Sequence, residues 1–499
     1  MNIPHEKYLR LFAAAAAGIL WGHATFAATV GKALPVQVSV VWSKVIRVSD
    51  TTPTLQVVVN PLLRPGSPIS HRAFLALHRL KANFVRFVPW APYPQLAVAE
   101  LKPPAEGRTF WNFKLIDPMV QDFMRATAGH PVIMNFSTIP EWMFQTPSPV
   151  TWPANPNQVD WSYEQGTKLR VGLKALANYY ARVVSWYTRG GFRDEYGHWH
   201  SSGYHYQFAW WEVLNEVNSE HGMTVQKYTR WYDAITAAIH KVSPETKFVG
   251  LALASMNPAW YRYFLNPHNH RAGTPLNMIS YHFYAIPPKS AKPAAWPHIF
   301  FSQANDFLKG VRTIQTIRRQ LSPHTGTDID EMGSILVWWA HPIPAMYWNL
   351  SGSLYAYLFA HLARQGINIV GESQLIGFPG QYPSVSMVNW HTGVPNARFR
   401  VLELLCGNFG PGDRIIATHV RAPGLFAQAF VTPAGVRKIL LVNKRNHTLL
   451  LNLSAGKGGT EQWVDQKTAG LPPARRTLTR ESLHLGGLGV AVITLTRRL

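Results

Sequence analysis

The fold of this chain is indicated most directly by one stretch of sequence, Trp210-Trp211-Glu212-Val213-Leu214-Asn215-Glu216-Val217-Asn218. The stretch begins as an apolar, strand-like run and ends in the pair Asn215 and Glu216. Parallel barrels build their active sites at the carboxyl ends of their strands, where side chains from several strands converge. The stretch therefore predicts a barrel strand that carries a functional carboxylate, Glu216, at its end.

The sequence on both sides of this stretch repeats the same alternation of short apolar runs with longer segments of helical periodicity. The candidate strands are residues 55–59, 83–88, 131–136, 208–214, 247–251, 278–283, 327–331 and 367–371. The helical segments include residues 71–80, 116–127, 169–188, 225–242, 304–321 and 353–364. Eight such strands predict an α/β fold, a (β/α)8 TIM barrel, over residues 53–411.

The rhythm changes after about residue 412. Short strand-like runs separated by turn residues follow, at residues 414–420, 425–432, 437–443, 449–453 and 490–496. This spacing predicts an accessory antiparallel β-sandwich over residues 412–499. The segment 28–52 contains another strand-like run, 36–48, which is expected to join the sandwich. The mixed polar segment 193–203 is expected to form a hairpin or loop before the fourth barrel strand.

The first residues resemble a secretory signal. Lys7 and Arg10 precede an apolar run, and the small-residue pattern Ala24-Thr25-Phe26-Ala27 follows it. Residues 1–27 are therefore expected to be a signal peptide, which predicts a secreted or periplasmic protein. No later segment offers the roughly 20 apolar residues of a transmembrane helix, so no membrane span is expected in the mature chain.

The composition limits the classes of partner. The chain has 48 Lys and Arg against 26 Asp and Glu, a formal charge of +22, which favours approach to anionic polymers and makes an acidic glycan worth testing. The basic residues are dispersed, which argues against nucleic acid as a partner. Cys406 is the only cysteine, so no intrachain disulfide can form. No His-Glu-x-x-His motif occurs, so no metal or other cofactor is expected, and the oligomeric state is not predicted.

A second carboxylate stands in a similar position, in Gly326-Thr327-Asp328-Ile329-Asp330-Glu331-Met332-Gly333. Glycosidic bonds are commonly hydrolysed by two carboxylates that face each other across a barrel mouth, and Glu216 is expected to act as acid/base and Glu331 as nucleophile. In a retaining enzyme they lie roughly 5–5.5 Å apart. Two alternatives stay open. Glu212 shares the strand parity of Glu216 but lies deeper, and Asp330 replaces Glu331 if the register shifts by one residue.

Three further residues are candidates for the support of these carboxylates. His282 and Tyr284, at the end of the sixth strand, are expected to donate a hydrogen bond to the nucleophile; an isolated histidine in the core is the alternative. Arg86 is a charge inside an apolar strand, and a buried guanidinium requires an anionic partner. A carboxylate of the cleft is one such partner, and a salt bridge elsewhere in the barrel is the other.

The remaining candidates are expected to bind sugar. Asn215 precedes the acid/base and is placed to bond a sugar 2-hydroxyl, a contact that strengthens in the transition state. Trp90 and Trp142 follow the second and third strands and are expected to form part of an aromatic platform for a sugar ring. The high content of tryptophan and tyrosine, 19 of each, is compatible with such a cleft, although packing accounts for most of them.

With these residues in place, the chain resembles the clan A glycoside hydrolases, and most closely glycoside hydrolase family 39, the group of β-xylosidases and α-L-iduronidases. The resemblance covers roughly residues 55–406. The fourth strand of that family ends in Asn-Glu-Pro-Asn with an acid/base glutamate, which corresponds to Asn215-Glu216-Val217-Asn218. Its seventh strand ends in the nucleophile, which corresponds to Glu331. Val217 replaces the usual proline, and Asp330 stands where the family has threonine.

The resemblance implies a secreted retaining glycoside hydrolase that acts on plant or microbial oligosaccharides or polysaccharides through a covalent glycosyl-enzyme and needs no cofactor. The heparanase-like glucuronidases and family 30 share the same barrel plan, so the sugar stays open. The alternative function is a non-catalytic secreted protein that binds glycans or polyanions on a hydrolase-like barrel. Such a protein is expected to have lost one of the two glutamates.

Overall fold

Eight parallel strands close into a barrel in the computed structural model, which describes residues 35–163, 168–337 and 342–496. The strands, numbered along the chain, are β1 (Val36–Val48), β2 (Thr52–Val58), β3 (Val85–Val88), β4 (Val132–Met134), β5 (Gly191–Arg193), β6 (Trp199–Ser201), β7 (Trp210–Glu212), β8 (Lys247–Leu253), β9 (Met278–Ala285), β10 (Gly326–Ser334), β11 (Ile369–Glu372), β12 (Arg414–Val420), β13 (Leu425–Val431), β14 (Arg437–Asn443), β15 (Leu449–Leu453), β16 (Thr460–Val464), β17 (Ala474–Thr477), β18 (Ser482–Leu485) and β19 (Val490–Thr494). The barrel runs in the order β2, β3, β4, β7, β8, β9, β10, β11 and closes from β11 back to β2.

Helices cover the outside of the barrel. They are α1 (Ser70–Leu80), α2 (Pro94–Ala97), α3 (Asp117–Ala126), α4 (Leu173–Thr188), α5 (Val225–Val242), α6 (Pro258–Phe264), α7 (Trp296–Leu321), α8 (Ala345–Gln365) and α9 (Ala397–Cys406). Helix α7 begins earlier than its predicted start at residue 304, because Pro297 lies in the first turn, where a missing N–H costs no hydrogen bond. Helix α8 is buried almost throughout and ends at Gly366, whose φ of 78° is the left-handed conformation of a helix cap.

Each of the eight predicted barrel strands coincides with an observed one, because strands buried on both faces read as apolar runs. The fourth strand is shorter than its predicted range, 208–214. Strand β7 ends at Glu212, and the backbone then leaves the extended region, with a φ of 64° at Leu214 and 39° at Glu216. This turn moves Asn215 and Glu216 off the strand and into the barrel mouth.

The second sheet has nine strands in the order β17-β16-β19-β14-β13-β12-β1-β15-β18, antiparallel except for the parallel pair β1 and β15. The run 36–48 is β1, which lies inside this sheet between β12 and β15. Side chains of β14 alternate: Ile439 and Leu441 point into the core of the sheet domain, whereas Leu440 and Val442 pack on the core that includes the barrel. The prediction of a TIM barrel with an antiparallel β domain is therefore confirmed.

Three smaller outcomes complete the fold. Segment 193–203 lies largely in a hairpin, in which β5 pairs with β6. Strands β16, β17 and β18 were not predicted; β17, for example, reads Ala-Arg-Arg-Thr and lacks alternating apolar residues. Among the residues that the structure describes, no helix is long and apolar enough to cross a membrane. The expected signal peptide, residues 1–27, lies outside the described residues.

Candidate active site

A cavity of about 1520 Å³, including its open mouth, lies at the carboxyl ends of the barrel strands. Residues at or just beyond the ends of six strands line it, including Val58, Val88, Glu216, Tyr284 and Gln374. Glu331, on β10, also faces the cavity. The cavity thus lies at the carboxyl ends of the strands, the face of the barrel at which the sequence predicts the functional carboxylates.

Glu216 and Glu331 approach each other across this cavity. One carboxylate oxygen of each, together with a ring nitrogen of His282, lies within 4.8 Å of the other two atoms. Glu331 is only 9% exposed, whereas Glu216 is half-buried and lies nearer the opening. Ser219 Oγ donates a hydrogen bond of 3.1 Å to Glu216 Oε2. The two carboxylates therefore differ in environment, one held in the wall and one accessible from the cavity.

Arg86 holds the base of the site together. Its buried guanidinium donates to Glu212 (2.5 Å), Gln56 (2.7 Å), Asn215 (2.7 Å) and Glu331 (2.8 Å) and lies 3.4 Å from Asp330. Burial alone would lower the pKa of Arg86, but the surrounding carboxylates raise it by a larger amount. The net shift is upward, so the guanidinium keeps its charge. Arg86 therefore keeps the Glu331 carboxylate oriented.

Tyr284 binds the other oxygen of Glu331. Its hydroxyl donates to Glu331 Oε2 at 2.8 Å, and Ser373 Oγ lies 2.6 Å from the same hydroxyl. Burial and the neighbouring Glu331 raise the pKa of Tyr284 well above its ordinary value, so the hydroxyl keeps its proton and acts as a donor. Both oxygens of Glu331 are thus bonded before any ligand is present.

His282 lies between the two glutamates. Its Nδ1 is 3.0 Å from Glu216 Oε1 and 3.5 Å from Glu331 Oε2, and its Nε2 is 3.4 Å from Asp330 Oδ2. Burial lowers the pKa of His282, but Glu331 and Asp330 outweigh this effect and raise it well above the ordinary value. The ring therefore keeps its proton on Nδ1, which donates to Glu216 Oε1 whether Glu216 is ionised or protonated.

The two alternative carboxylates lie below the cavity. Glu212 is fully buried and accepts hydrogen bonds from Arg86, Asn135 and Ser280, at 2.5–2.6 Å. Burial raises the pKa of Glu212 to about 7, although Arg86 opposes the shift. Asp330 is 2% exposed, does not line the cavity, and faces Arg86 and His282 instead. The geometry therefore favours Glu216 over Glu212 and Glu331 over Asp330.

The candidates for sugar binding have different outcomes. Trp90 lines the cavity, and its ring stands edge-on to Trp161, with centroids 5.4 Å apart. Asn215 also lines the cavity, although its Oδ1 is already bonded to Arg86. Trp142 does not line it: its indole N–H donates to the backbone carbonyl of Glu100 at 2.9 Å, and its ring packs on the core. Trp161, which the sequence did not single out, stands beside Trp90 in place of Trp142.

Glu220 is a further residue that the sequence analysis missed. It lies in the turn after Glu216 and lines the cavity. Its Oε1 accepts hydrogen bonds from Trp90 Nε1 (2.6 Å) and Asn215 Nδ2 (3.1 Å). Burial and the nearby Glu216 raise the pKa of Glu220 to about 8. Its position in the same Glu-rich turn as Glu216 was the available signal.

Glu216, His282 and Glu331 have the spacing of metal ligands. The Arg86 cation, however, lies 2.8 Å from Glu331 and repels a second cation at that oxygen. The arrangement fits an organic substrate better: it offers a carboxylate bonded on both oxygens, a second carboxyl that is accessible from the cavity, and an aromatic wall.

No family model matches this sequence, and no curated protein sequence matches it. Solved structures do share its fold. A family 51 arabinofuranosidase from Xanthomonas axonopodis pv. citri matches with a TM-score of 0.64 and 10% identity, over 93% of this chain and 100% of that chain. An α-L-arabinofuranosidase from Thermotoga maritima matches with a TM-score of 0.62 and 13% identity, over 92% of this chain and 99% of that chain. A family 30 endoxylanase from Clostridium papyrosolvens C71 matches with a TM-score of 0.57 and 11% identity, over 93% of this chain and 100% of that chain. At these identities the similarity shows a common fold, barrel and β domain together.

Proposed function

We propose that this protein is a retaining glycoside hydrolase of clan A, with Glu331 as nucleophile and Glu216 as acid/base. The observation that carries the proposal is the approach of their carboxylate oxygens to within 4.8 Å. Retaining enzymes separate these groups by roughly 5–5.5 Å, whereas inverting enzymes need roughly 6.5–9.5 Å to admit a water molecule. The spacing therefore supports direct attack by Glu331.

In the first step, Glu331 attacks the anomeric carbon while Glu216 gives its proton to the departing glycosidic oxygen, so that a glycosyl ester forms and the aglycone leaves. In the second step, Glu216 takes a proton from water, and the oxygen of that water displaces Glu331 from the sugar. Arg86 and Tyr284 stabilise the returning charge on Glu331, and His282 bonds Glu216 in both its forms.

The family and the substrate are proposed on separate grounds. Family 39 rests on the Asn215-Glu216 and Glu331 motifs alone, since two of the similar structures named above belong to families 51 and 30. The similar structures include arabinofuranosidases and an endoxylanase, so arabinosides and xylosides of plant or microbial glycans are the first substrates to test. The N-terminal sequence pattern supports secretion or a periplasmic location.

A panel of aryl glycosides tests the proposal: xyloside, arabinofuranoside, glucoside, fucoside and glucuronide. Wild type is expected to cleave at least one, and the double variant Glu216→Ala/Glu331→Ala is expected to cleave none above the background rate. If wild type cleaves none of these or of the matching oligosaccharides, and instead binds polyanions with affinity that falls steeply with salt, the non-catalytic alternative is correct.

Tyr284→Phe is expected to lower kcat by about 10- to 150-fold, because a hydrogen bond to a charged group contributes about 1.5–3 kcal/mol. The KM for the same glycoside is expected to change little, because the hydrogen bond from Tyr284 stabilises Glu331 most as negative charge returns to it in the transition state of the second step. Tyr355→Phe is the matched control, because Tyr355 is a buried tyrosine whose hydroxyl donates to the Val370 carbonyl outside the cavity. Equal kcat values for Tyr284→Phe and wild type would refute this role.

A further inference from the structure

Building on the proposed function, we infer that Glu220 is a substrate-binding residue whose free carboxyl oxygen bonds a hydroxyl of an uncharged sugar, and that the cavity rejects sugars that carry a carboxylate. Two independent observations lead to this inference. One is the charge of the cavity wall, and the other is the position of the Glu220 carboxyl.

The wall of the cavity is acidic, although the chain as a whole carries a charge of +22. Its acidic lining residues are Asp160, Glu216, Glu220 and Glu331, and no Lys or Arg is among the described residues that line it. The internal segments outside the described residues, 164–167 and 338–341, contain no Lys or Arg in sequence. The described Lys and Arg residues therefore lie outside the cavity wall and offer no partner there to an anionic sugar.

Arg86, the cation beneath the cavity, is 1% exposed and directs its N–H groups at side chains of the site. Nε binds Glu212, Nη1 binds Gln56 and Glu331, and Nη2 binds Asn215 and lies 3.4 Å from Asp330. His282 is 2% exposed, and both its ring nitrogens face carboxylates. A uronic acid carboxylate would therefore enter among like charges without a donor cation.

Glu220 presents an unused oxygen to this space. Its Oε1 is fixed by Trp90 and Asn215, whereas its Oε2 has no hydrogen-bond partner among the described residues. Trp90 also belongs to the aromatic wall, so a ring that stacks there brings its hydroxyls close to Glu220. A carboxyl oxygen held from behind by two donors is preorganised to bind such a hydroxyl.

The ionisation of Glu220 fits an uncharged ligand. Burial and Glu216, with a smaller contribution from Glu331, raise the pKa of Glu220 to about 8. Asp160 is the other acid of the cavity wall, and no cation faces Glu220 there among the described residues. Below pH 8 the carboxyl is neutral and both donates and accepts hydrogen bonds. Above pH 8 it adds a negative charge to the cavity wall.

The test uses the best neutral aryl glycoside, its monodeoxy analogues and the matching uronide, with wild type, Glu220→Ala, Glu220→Gln and the surface control Glu403→Gln. At pH 6 we expect Glu220→Ala to raise KM about 10-fold for the parent glycoside, the worth of one hydrogen bond. One deoxy analogue, which lacks the bonded hydroxyl, should show no such penalty. Glu220→Gln keeps a neutral hydrogen-bond donor, so its KM for the parent glycoside should stay near the wild-type value. The uronide should be cleaved on the order of 10³-fold less efficiently than the neutral glycoside, because like charges placed together cost several kcal/mol.

The pH profile supplies a readout that a merely structural role would not move. KM of wild type is expected to rise above pH 8, whereas KM of Glu220→Gln is expected to stay flat there. An equal penalty of Glu220→Ala on every deoxy analogue, or efficient cleavage of the uronide or of an amino-sugar glycoside in preference to the neutral one, would overturn the inference. If wild type cleaves no glycoside, the proposed function itself is wrong. If wild type cleaves neutral glycosides and Glu220→Ala leaves their KM unchanged, only the role of Glu220 is wrong.

Discussion

Glu331→Ala is expected to reduce turnover of an activated aryl glycoside by about 10⁴-fold or more, the scale of loss seen when a nucleophile is removed. Without the carboxylate, no glycosyl ester can form, and the remaining groups only bind the substrate. Azide should restore part of the activity by taking the vacant place and attacking the anomeric carbon once. The glycosyl azide should then have the inverted configuration, which product analysis by NMR measures.

Glu216→Ala is the companion variant and distinguishes the two roles. An activated leaving group needs little protonation, so the first step should survive better than the second, and glycosyl-enzyme should accumulate. Azide attacks this intermediate and should give the retained anomer. Glu403→Ala changes a residue of helix α9 that does not line the cavity, and it should behave as wild type in both assays. The assigned roles would be disproved if Glu331→Ala gave a glycosyl azide of retained configuration, or if this variant hydrolysed the substrate as fast as wild type.

Arg86→Met is expected to lower the free energy of unfolding by about 3–5 kcal/mol, the cost of leaving buried charges without their partner. Glu212, Asp330 and Glu331 would lose the cation that now lies within 2.5–3.4 Å of each. The pKa values of Glu212 and Asp330 in the folded state should rise, so the loss of unfolding free energy should be largest near neutral pH and shrink as pH falls and protons neutralise these two groups. Denaturant unfolding at pH 7.5 and pH 5 measures both effects.

Arg125→Met provides the control for this experiment. Arg125 pairs with Asp122 on the surface of α3, with 74% of its side chain exposed, and its removal should change the free energy of unfolding by about 0–1 kcal/mol. If Arg86→Met unfolds at the same denaturant concentration as wild type, the buried guanidinium does not stabilise the site. If Arg86→Met fails to fold, Arg86→Lys replaces it in the experiment. Lysine keeps the charge but has fewer hydrogen-bond donors, so the free energy of unfolding of Arg86→Lys should be lower than that of wild type and higher than that of Arg86→Met.

The barrel could be predicted because its strands are buried on both faces and therefore stand out as apolar runs. Glu216 and Glu331 could be predicted because each follows or ends such a run, where the fold places functional groups. The contacts of Arg86 could not be predicted in the same way. Gln56, Glu212 and Glu331 come from three different strands, and only closure of the barrel brings them to one guanidinium.

Two failures of prediction have a similar physical origin. Trp142 and Trp161 both lie in the loop region after β4, and the sequence gives no measure of which one turns toward the cavity. Net charge is equally uninformative about a site: the total of +22 counts the whole surface, whereas the cavity wall is set by four carboxyl residues. Short edge strands such as β17 were missed because exposed residues leave no apolar pattern.

The configuration of the first product tests the central claim, that Glu331 forms a bond to the sugar. The best aryl glycoside is cleaved in the presence of methanol, and the methyl glycoside, which cannot mutarotate, is identified by NMR. Double displacement gives a methyl glycoside with the same anomeric configuration as the substrate, because the second inversion restores it. A methyl glycoside of inverted configuration would refute covalent catalysis by Glu331, since it requires a single attack by the acceptor.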